Sequence, residues 1–255
     1  MTRRIRPLVE YDGTGYSGWQ RQSNAVSVQQ VLEEAIRKLT GEETLTVTGA
    51  SRTDAGVHAL GQNAHFDTAS RIPADKFSFA LNTMLPDDIR VASSRCVKDE
   101  FHARFSAIGK EYRYMFYTHP HASALYRNLS AHIIYPLNVE AMRKEAETLT
   151  GRHDFAAFAA SGSETKDTVR EIKRVTLEES SPFLEMRIYG TGFLYNMVRI
   201  IAGTLIGVGS GKLEQGCFKR ALTTGDRLCL GVTAPPQGLT LMRVDYPEDI
   251  CLPPT

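Results

Sequence analysis

Two hydrophobic periods run along this chain. Val28, Val31, Leu32, Ala35, Ile36 and Leu39 recur at helical spacing and share one face. Ser27 followed by Gln30 makes a capping box before them, and Gly41 stops the helix. A second helix of the same design runs from Val139 to Leu149. Asn138 caps it, Val139, Met142, Ala146 and Leu149 line a face, and Gly151 ends it. Both helices close on Leu-Thr-Gly, at 39–41 and at 149–151, a local likeness that points to a repeat. A period of two appears where Tyr112, Tyr114, Phe116 and Thr118 alternate with Arg113, Met115 and Tyr117, the mark of a half-buried strand.

Each half then reads as strand, helix, strand, strand, helix, strand. In the first half the strands fall at Ile5–Tyr11, Thr44–Thr48, Gln62–Phe66 and Ile89–Val97, with a second helix over Ala74–Met84 behind Pro73. In the second half they fall at Lys110–Thr118, Ile172–Glu178, Leu184–Tyr189 and Leu239–Asp245, with later helices at Leu194–Ile206 and Leu213–Leu222. The expected class is α/β in the α+β sense: two ferredoxin-like, RRM-like β-α-β-β-α-β units, residues 1–105 and 106–255, with an active-site cleft between them. Residues 118–131 and 159–170 read as loops, and Cys251–Thr255 as a frayed tail.

Composition narrows the class. The chain has 255 residues, 42% hydrophobic and 23% charged, which excludes intrinsic disorder. No run of eighteen apolar residues predicts a membrane helix, and the basic start at Arg3, Arg4 and Arg6 lacks the apolar stretch of a secretory signal. Net charge is +1, balanced in both halves, so a nucleic-acid partner needs a local patch rather than bulk charge. Cys96, Cys217, Cys229 and Cys251 form no C-x-x-C pair, which fits reduced thiols in a cytosolic protein.

Three segments carry candidate chemistry. Ser51-Arg52-Thr53-Asp54-Ala55-Gly56-Val57-His58-Ala59 is longer than a turn between two strands needs. Asp54 there is either the head of an Asx-turn, with Gly56 taking positive φ, or a nucleophile or general base on a tight loop. Phe101–Tyr114 alternates aromatic and basic residues, which suits either a strand with a charged solvent face or a stacking surface for single-stranded nucleic acid. Gly190–Gly203 opens an apolar helix with Arg199 inside it. That arginine either lies on an exposed stripe or meets a carboxylate, Asp54 being a candidate. Other motifs fail. Gly207–Lys212 lacks the P-loop Ser/Thr, Asp12-Gly13-Thr14-Gly15 lacks the full dinucleotide fingerprint, and His119 and His121 lack a third metal ligand.

Taken together, R-T-D-A-G-V-H-A (52–59), K-E-Y-R-Y (110–114) and G-F-L-Y-N-M-V-R (192–199) resemble the three active-site motifs of the TruA-type tRNA pseudouridine synthases. The likeness continues through Tyr16–Gln20, Gly61–Thr68, Phe101–Phe105 and Ala234–Leu239, in order over essentially the whole chain. Ser51 departs from it, standing where that family more often has glycine. The resemblance implies isomerisation of uridine to pseudouridine at positions 38 to 40 of the tRNA anticodon arm, with no cofactor and no metal. It implies a tRNA partner, a homodimer and a cytoplasmic setting. It makes Asp54 the nucleophile and Tyr112 the tyrosine that stacks on uracil and assists proton removal from carbon 5. It makes Arg199 the partner of the aspartate, and Arg52 the residue that helps extrude the base. Lys110, Arg104, Arg21 and His58 become RNA contacts, and Leu241 and Tyr195 pocket-lining residues. Two rivals compete: a non-catalytic RNA-binding module, and a glycoside hydrolase, which needs a second carboxylate. Glu111 adjoins Tyr112 in a strand and is expected to point away from it.

Overall fold

The structure, a computed structural model, describes residues 2–160, 162 and 165–250. The tail Cys251–Thr255 and residues 161, 163 and 164 of the predicted 159–170 loop lie outside them. The early elements are β1 (Arg3–Tyr11), α1 (Val28–Thr40), β2 (Thr48–Gly49), β3 (His58–Thr68), α2 (Phe77–Asn82) and β4 (Ile89–Val97). There follow β5 (Gly109–Tyr117), β6 (Ala131–His132), α3 (Val139–Glu147), β7 (Gly151–Asp154), β8 (Val169–Ser180) and β9 (Phe183–Gly190). The chain ends with α4 (Met197–Gly209), α5 (Cys217–Thr224) and β10 (Leu239–Asp245). These described residues divide into two compact units, 2–108 with 241–250, and 109–240. The class is α+β, with mainly antiparallel strand pairing.

In the first unit β1 lies between β4 and β3, antiparallel to both, with Ile5 opposite Phe66 on one side and Cys96 on the other. Its inward residues Ile5, Val9 and Tyr11 are buried. Helix α1 buries Val28, Leu32, Ala35 and Ile36, as its apolar stripe requires. Ser27 Oγ accepts from the Gln30 N–H, and Gly41 ends the helix in the left-handed region at φ 77°. The expected strand Thr44–Thr48 shrinks to Thr48–Gly49. The reason is competition for its backbone. Arg37 donates to the Leu45 carbonyl, Gln29 Nε2 donates to the Val47 carbonyl, and Glu33 accepts from the Val47 N–H. Those groups are satisfied by the helix and leave nothing for a ladder. The expected helix Ala74–Met84 is a 3-10 turn at Ala74–Lys76 followed by the short α2.

In the second unit the antiparallel order is β5, β9, β8, β7, with β6 adding a short parallel pairing to β5. Along β5, Tyr112, Tyr114 and Phe116 are buried while Arg113, Met115 and Tyr117 are half-buried, as the period-two pattern requires. Helix α3 packs on α4 and β8 through Met142 and Ala146. It ends at Glu147, and Gly151, expected to stop it, instead opens β7 at φ 114°. Strands β6 and β7 had no legible pattern because two and four residues are too short for a period. Helix α4 starts at Met197 rather than Leu194, because Asn196 sits in the left-handed region at φ 59° and cannot continue a helix. Helix α5 starts at Cys217 rather than Leu213, after Gly216 at φ 83°.

Candidate active site

Asp54 lies in the first unit, in the connection from β2 to β3. The connection is short in regular structure yet tightly held. The side chain of Gln62 clamps the backbone of Ser51 on both sides, accepting from its N–H at 3.1 Å and donating to its carbonyl at 2.6 Å. Thr53 is buried, with Oγ1 2.7 Å from the Tyr11 hydroxyl and its carbonyl accepting from the Trp19 N–H. The Asp54 carbonyl accepts from the Val57 N–H at 3.1 Å, and the Gly56 N–H donates to the Tyr16 carbonyl at 3.3 Å. Gly56 has φ 75°, the positive value the turn reading expected. Asp54 is half-buried on a backbone held at Ser51, Thr53, Gly56 and Val57, while Arg52 is exposed.

The support comes from residues 12–19, the glycine-rich segment that failed as a nucleotide motif. Gly13 lies against the Asp54 loop so closely that a Cβ there would fall 2.0 Å from the Val57 carbonyl oxygen. The Gly13 N–H donates to His58 Nδ1 at 3.1 Å, and an Asp12 carboxylate oxygen lies 3.1 Å from the same nitrogen. The same imidazole nitrogen thus faces both Gly13 and Asp12 and joins the 12–13 segment to the Asp54 loop. Burial disfavours the Asp12 carboxylate. Hydrogen bonds from the Thr14 hydroxyl and N–H, together with the neighbouring imidazole, outweigh that and hold Asp12 below the usual carboxylate range. His58 is 4% exposed and its Nε2 is buried with no hydrogen-bond partner. Expected as an RNA contact, it is instead a buried brace between the loop and Gly13.

Tyr112 and Arg199 lie in the second unit. Tyr112 is 8% exposed on β5, and Phe193 packs edge-on against its ring at 5.1 Å between centroids. Arg199, in the first turn of α4, is half-buried. Its Nε donates to the Ala234 carbonyl at 2.9 Å and one terminal nitrogen donates to Asn196 Oδ1 at 2.8 Å. These two contacts fix the guanidinium plane. The charge of Arg199 reaches Tyr114: burial pushes that phenol's pKa up and the arginine opposes it. Tyr114 donates to the Pro235 carbonyl at 2.7 Å, tying β5 to the Ala234–Pro235 turn that holds Arg199.

The other expected residues divide. Glu111 points away from Tyr112 along β5, as alternation requires, and its carboxylate lies 2.8 Å from Arg174. Arg21 is paired with the buried Glu33 at 2.9 Å. Leu241 is fully buried and belongs to the core. Tyr195 and Arg104 are exposed, and Lys110 is half-buried. The sequence reading missed Asn196 and Gly13. A lone asparagine ahead of an apolar helix and a glycine pair after a strand were their only signals.

Among the described residues no three His, Cys, Asp or Glu side chains are grouped to hold a metal ion. The family model described as tRNA pseudouridine synthase matches residues 8–106 and 146–247. The chain is 53% identical to tRNA pseudouridine synthase A of Ruminiclostridium cellulolyticum, over 96% of this chain and 100% of that one. It is 46% identical to tRNA pseudouridine synthase A of Bacillus subtilis, over 95% of this chain and 99% of that one. A solved archaeal box H/ACA sRNP Nop10-Cbf5 complex aligns at TM-score 0.40 and 11% identity, over 81% of this chain and 44% of that one, too loosely to carry weight.

Proposed function

The chain belongs to the tRNA pseudouridine synthase family, and from that premise we propose that it isomerises uridine to pseudouridine at positions 38, 39 and 40 in the anticodon stem and loop of tRNA. The bond between uracil nitrogen 1 and the ribose breaks, and a bond from carbon 5 to the same sugar carbon forms. A proton leaves carbon 5 and another is taken up at nitrogen 1, so the change balances within the nucleotide.

The observation that carries the assignment of roles is the ordered occurrence of Arg52–Ala59, Lys110–Tyr114 and Gly192–Arg199 in one chain. The first and third of these lie within the residues that the family model matches. Asp54 is the nucleophile, attacking either the ribose or the base. A carboxylate on a backbone fixed at Ser51, Thr53, Gly56 and Val57 suits that task, because little has to be ordered when the substrate arrives. Arg199 is its countercharge, keeping it ionised. Tyr112 stacks on the uracil and helps take the proton from carbon 5. Arg52 helps to extrude a base that cannot be reached within a stacked stem. Lys110 and Arg104 contact the RNA backbone. The protein works in the cytoplasm as a homodimer. No helix among the described residues is long and apolar enough to cross a membrane.

Tritium release from carbon-5-labelled uridine in tRNA tests the proposal, with the wild-type chain beside Asp54→Asn. Release by the wild type alone is the expected result. Near-wild-type release by Asp54→Asn would remove that residue from the mechanism. Tight tRNA binding with no release from either would favour a non-catalytic RNA-binding module.

A further inference from the structure

Phe105 is 78% exposed, although the loop that carries it is held by a set of hydrogen bonds. The His102 N–H donates to Ser106 Oγ at 3.0 Å and the Ser106 N–H returns to the His102 carbonyl at 2.9 Å. The N–H groups of Arg104 and Phe105 both donate to His102 Nδ1 at 3.2 Å. The Ala103 N–H donates to His65 Nδ1 at 3.1 Å, and the Tyr246 hydroxyl donates to the Ala103 carbonyl at 2.7 Å. The backbone N–H of every residue from His102 to Ser106 is thus bonded, and what this loop presents to water is an aromatic ring. The His102 imidazole stacks against that ring at 30° between planes and 4.3 Å between centroids, and the Arg104 guanidinium carbon stands 5.9 Å from it. Burial and the charges of Arg4 and Arg104 lower the pKa of His102, so the imidazole stacks as a neutral ring. A rigid loop, an exposed aromatic face backed by a second ring, and a cation beside it match the requirements of a base-stacking platform.

We propose that Phe105, backed by His102 and flanked by Arg104, is a stacking site for an unpaired nucleobase of the bound tRNA. This rests on the function proposed above and adds to it a contact outside the Asp54 loop. Stacking is indifferent to base identity, so the site adds affinity and register rather than sequence choice. The rigidity of the loop means that little is spent on ordering it when RNA binds.

The test uses the full chain and an unmodified tRNA transcript. Phe105→Ala is expected to weaken tRNA binding roughly tenfold, and Phe105→Trp to bind within about threefold of wild type. The native chain has a single tryptophan, the buried Trp19, so Phe105→Trp adds an exposed fluorophore. Its emission is expected to be quenched when tRNA is added, which a purely structural role would not produce. Wild-type affinity in Phe105→Ala, or unquenched emission in Phe105→Trp on a tRNA that it binds, overturns the inference alone. Unchanged affinity together with a smaller sedimenting species for Phe105→Ala also overturns it, and assigns the ring to a second copy of the chain. Absence of both tRNA binding and isomerisation in the wild type overturns the functional reading and this site with it.

Discussion

The backbone N–H of Gly13 points at Nδ1 of His58, 3.1 Å away, and Gly13 itself sits flush against the Val57 carbonyl. Two segments far apart in sequence are locked together one turn from Asp54. A Cβ at residue 13 would fall 2.0 Å from the Val57 oxygen, so Gly13→Ala must push the loop away. Misplacement of a reacting group by about 1 Å can cost on the order of a hundredfold in rate. Gly13→Ala is therefore expected to lose about that much in kcat with far less change in tRNA affinity. Wild-type kcat in a folded variant would show that the loop does not depend on this contact.

Asn196 takes the left-handed conformation and accepts from Arg199 through Oδ1 at 2.8 Å. Substitution separates the two roles. Asn196→Gly keeps the backbone geometry and removes the acceptor, whereas Asn196→Ala also adds strain of about 1 kcal/mol. Both are expected to lower kcat roughly tenfold, with only Asn196→Ala clearly lowering the melting temperature. Two wild-type rates would mean that Arg199 is oriented without Asn196.

Tyr112 is braced by Phe193 and is expected to contribute both a ring and a hydroxyl. Tyr112→Phe retains stacking, so tRNA binding should hold while tritium release falls about a hundredfold or more. Tyr112→Leu should lose both. Equal, wild-type rates in the two variants would dismiss Tyr112 from the chemistry.

Glu145 is 2% exposed and caps α5, accepting from the N–H groups of Gly216 at 2.6 Å and Phe218 at 2.7 Å, with Cys217 Sγ at 3.3 Å. Burial, then the adjacent carboxylate, pushes the Cys217 thiol up to about 12. Glu145→Ala leaves two backbone donors without partners and is expected to cost about 2–4 kcal/mol. Urea unfolding measures this, and turnover of the folded fraction should be unchanged. A midpoint equal to wild type would show that water replaces the carboxylate at no cost.

His65 is held at a pKa of about 4, first by burial, then by the charges of Arg4 and His102, with Asp67 acting weakly the other way. The unfolded imidazole titrates near 6.5, so between about pH 6.5 and 4 the unfolded chain binds a proton that the folded one refuses. Stability is therefore expected to fall as pH drops through that window. His65→Asn should flatten the slope of unfolding free energy between pH 7 and pH 5. An unaltered slope would assign the acid sensitivity to other groups.

The first helix, the alternation along β5 and the order of elements in the first unit were legible because each rests on neighbours within one turn or one pleat. The apolar stripe of Val28, Leu32, Ala35 and Ile36 needs no distant partner to declare itself. Asp54 was legible as a candidate because its connection is longer than a turn between two strands needs and sets an acid among arginine, glycine and histidine. What tertiary structure alone decided is where long-range hydrogen bonds compete with local preference. The 44–48 segment has strand-forming residues, yet its backbone is taken by Gln29, Glu33 and Arg37 of α1. Arg21 and His58, which the resemblance implies as RNA contacts, are engaged within the fold, Arg21 by the buried Glu33 and His58 by Gly13. In each case the partner stands at least eight residues away, beyond the reach of any short-range pattern. A sequence therefore declares its periodic surfaces, while the burial of individual polar groups is settled only by what folds against them.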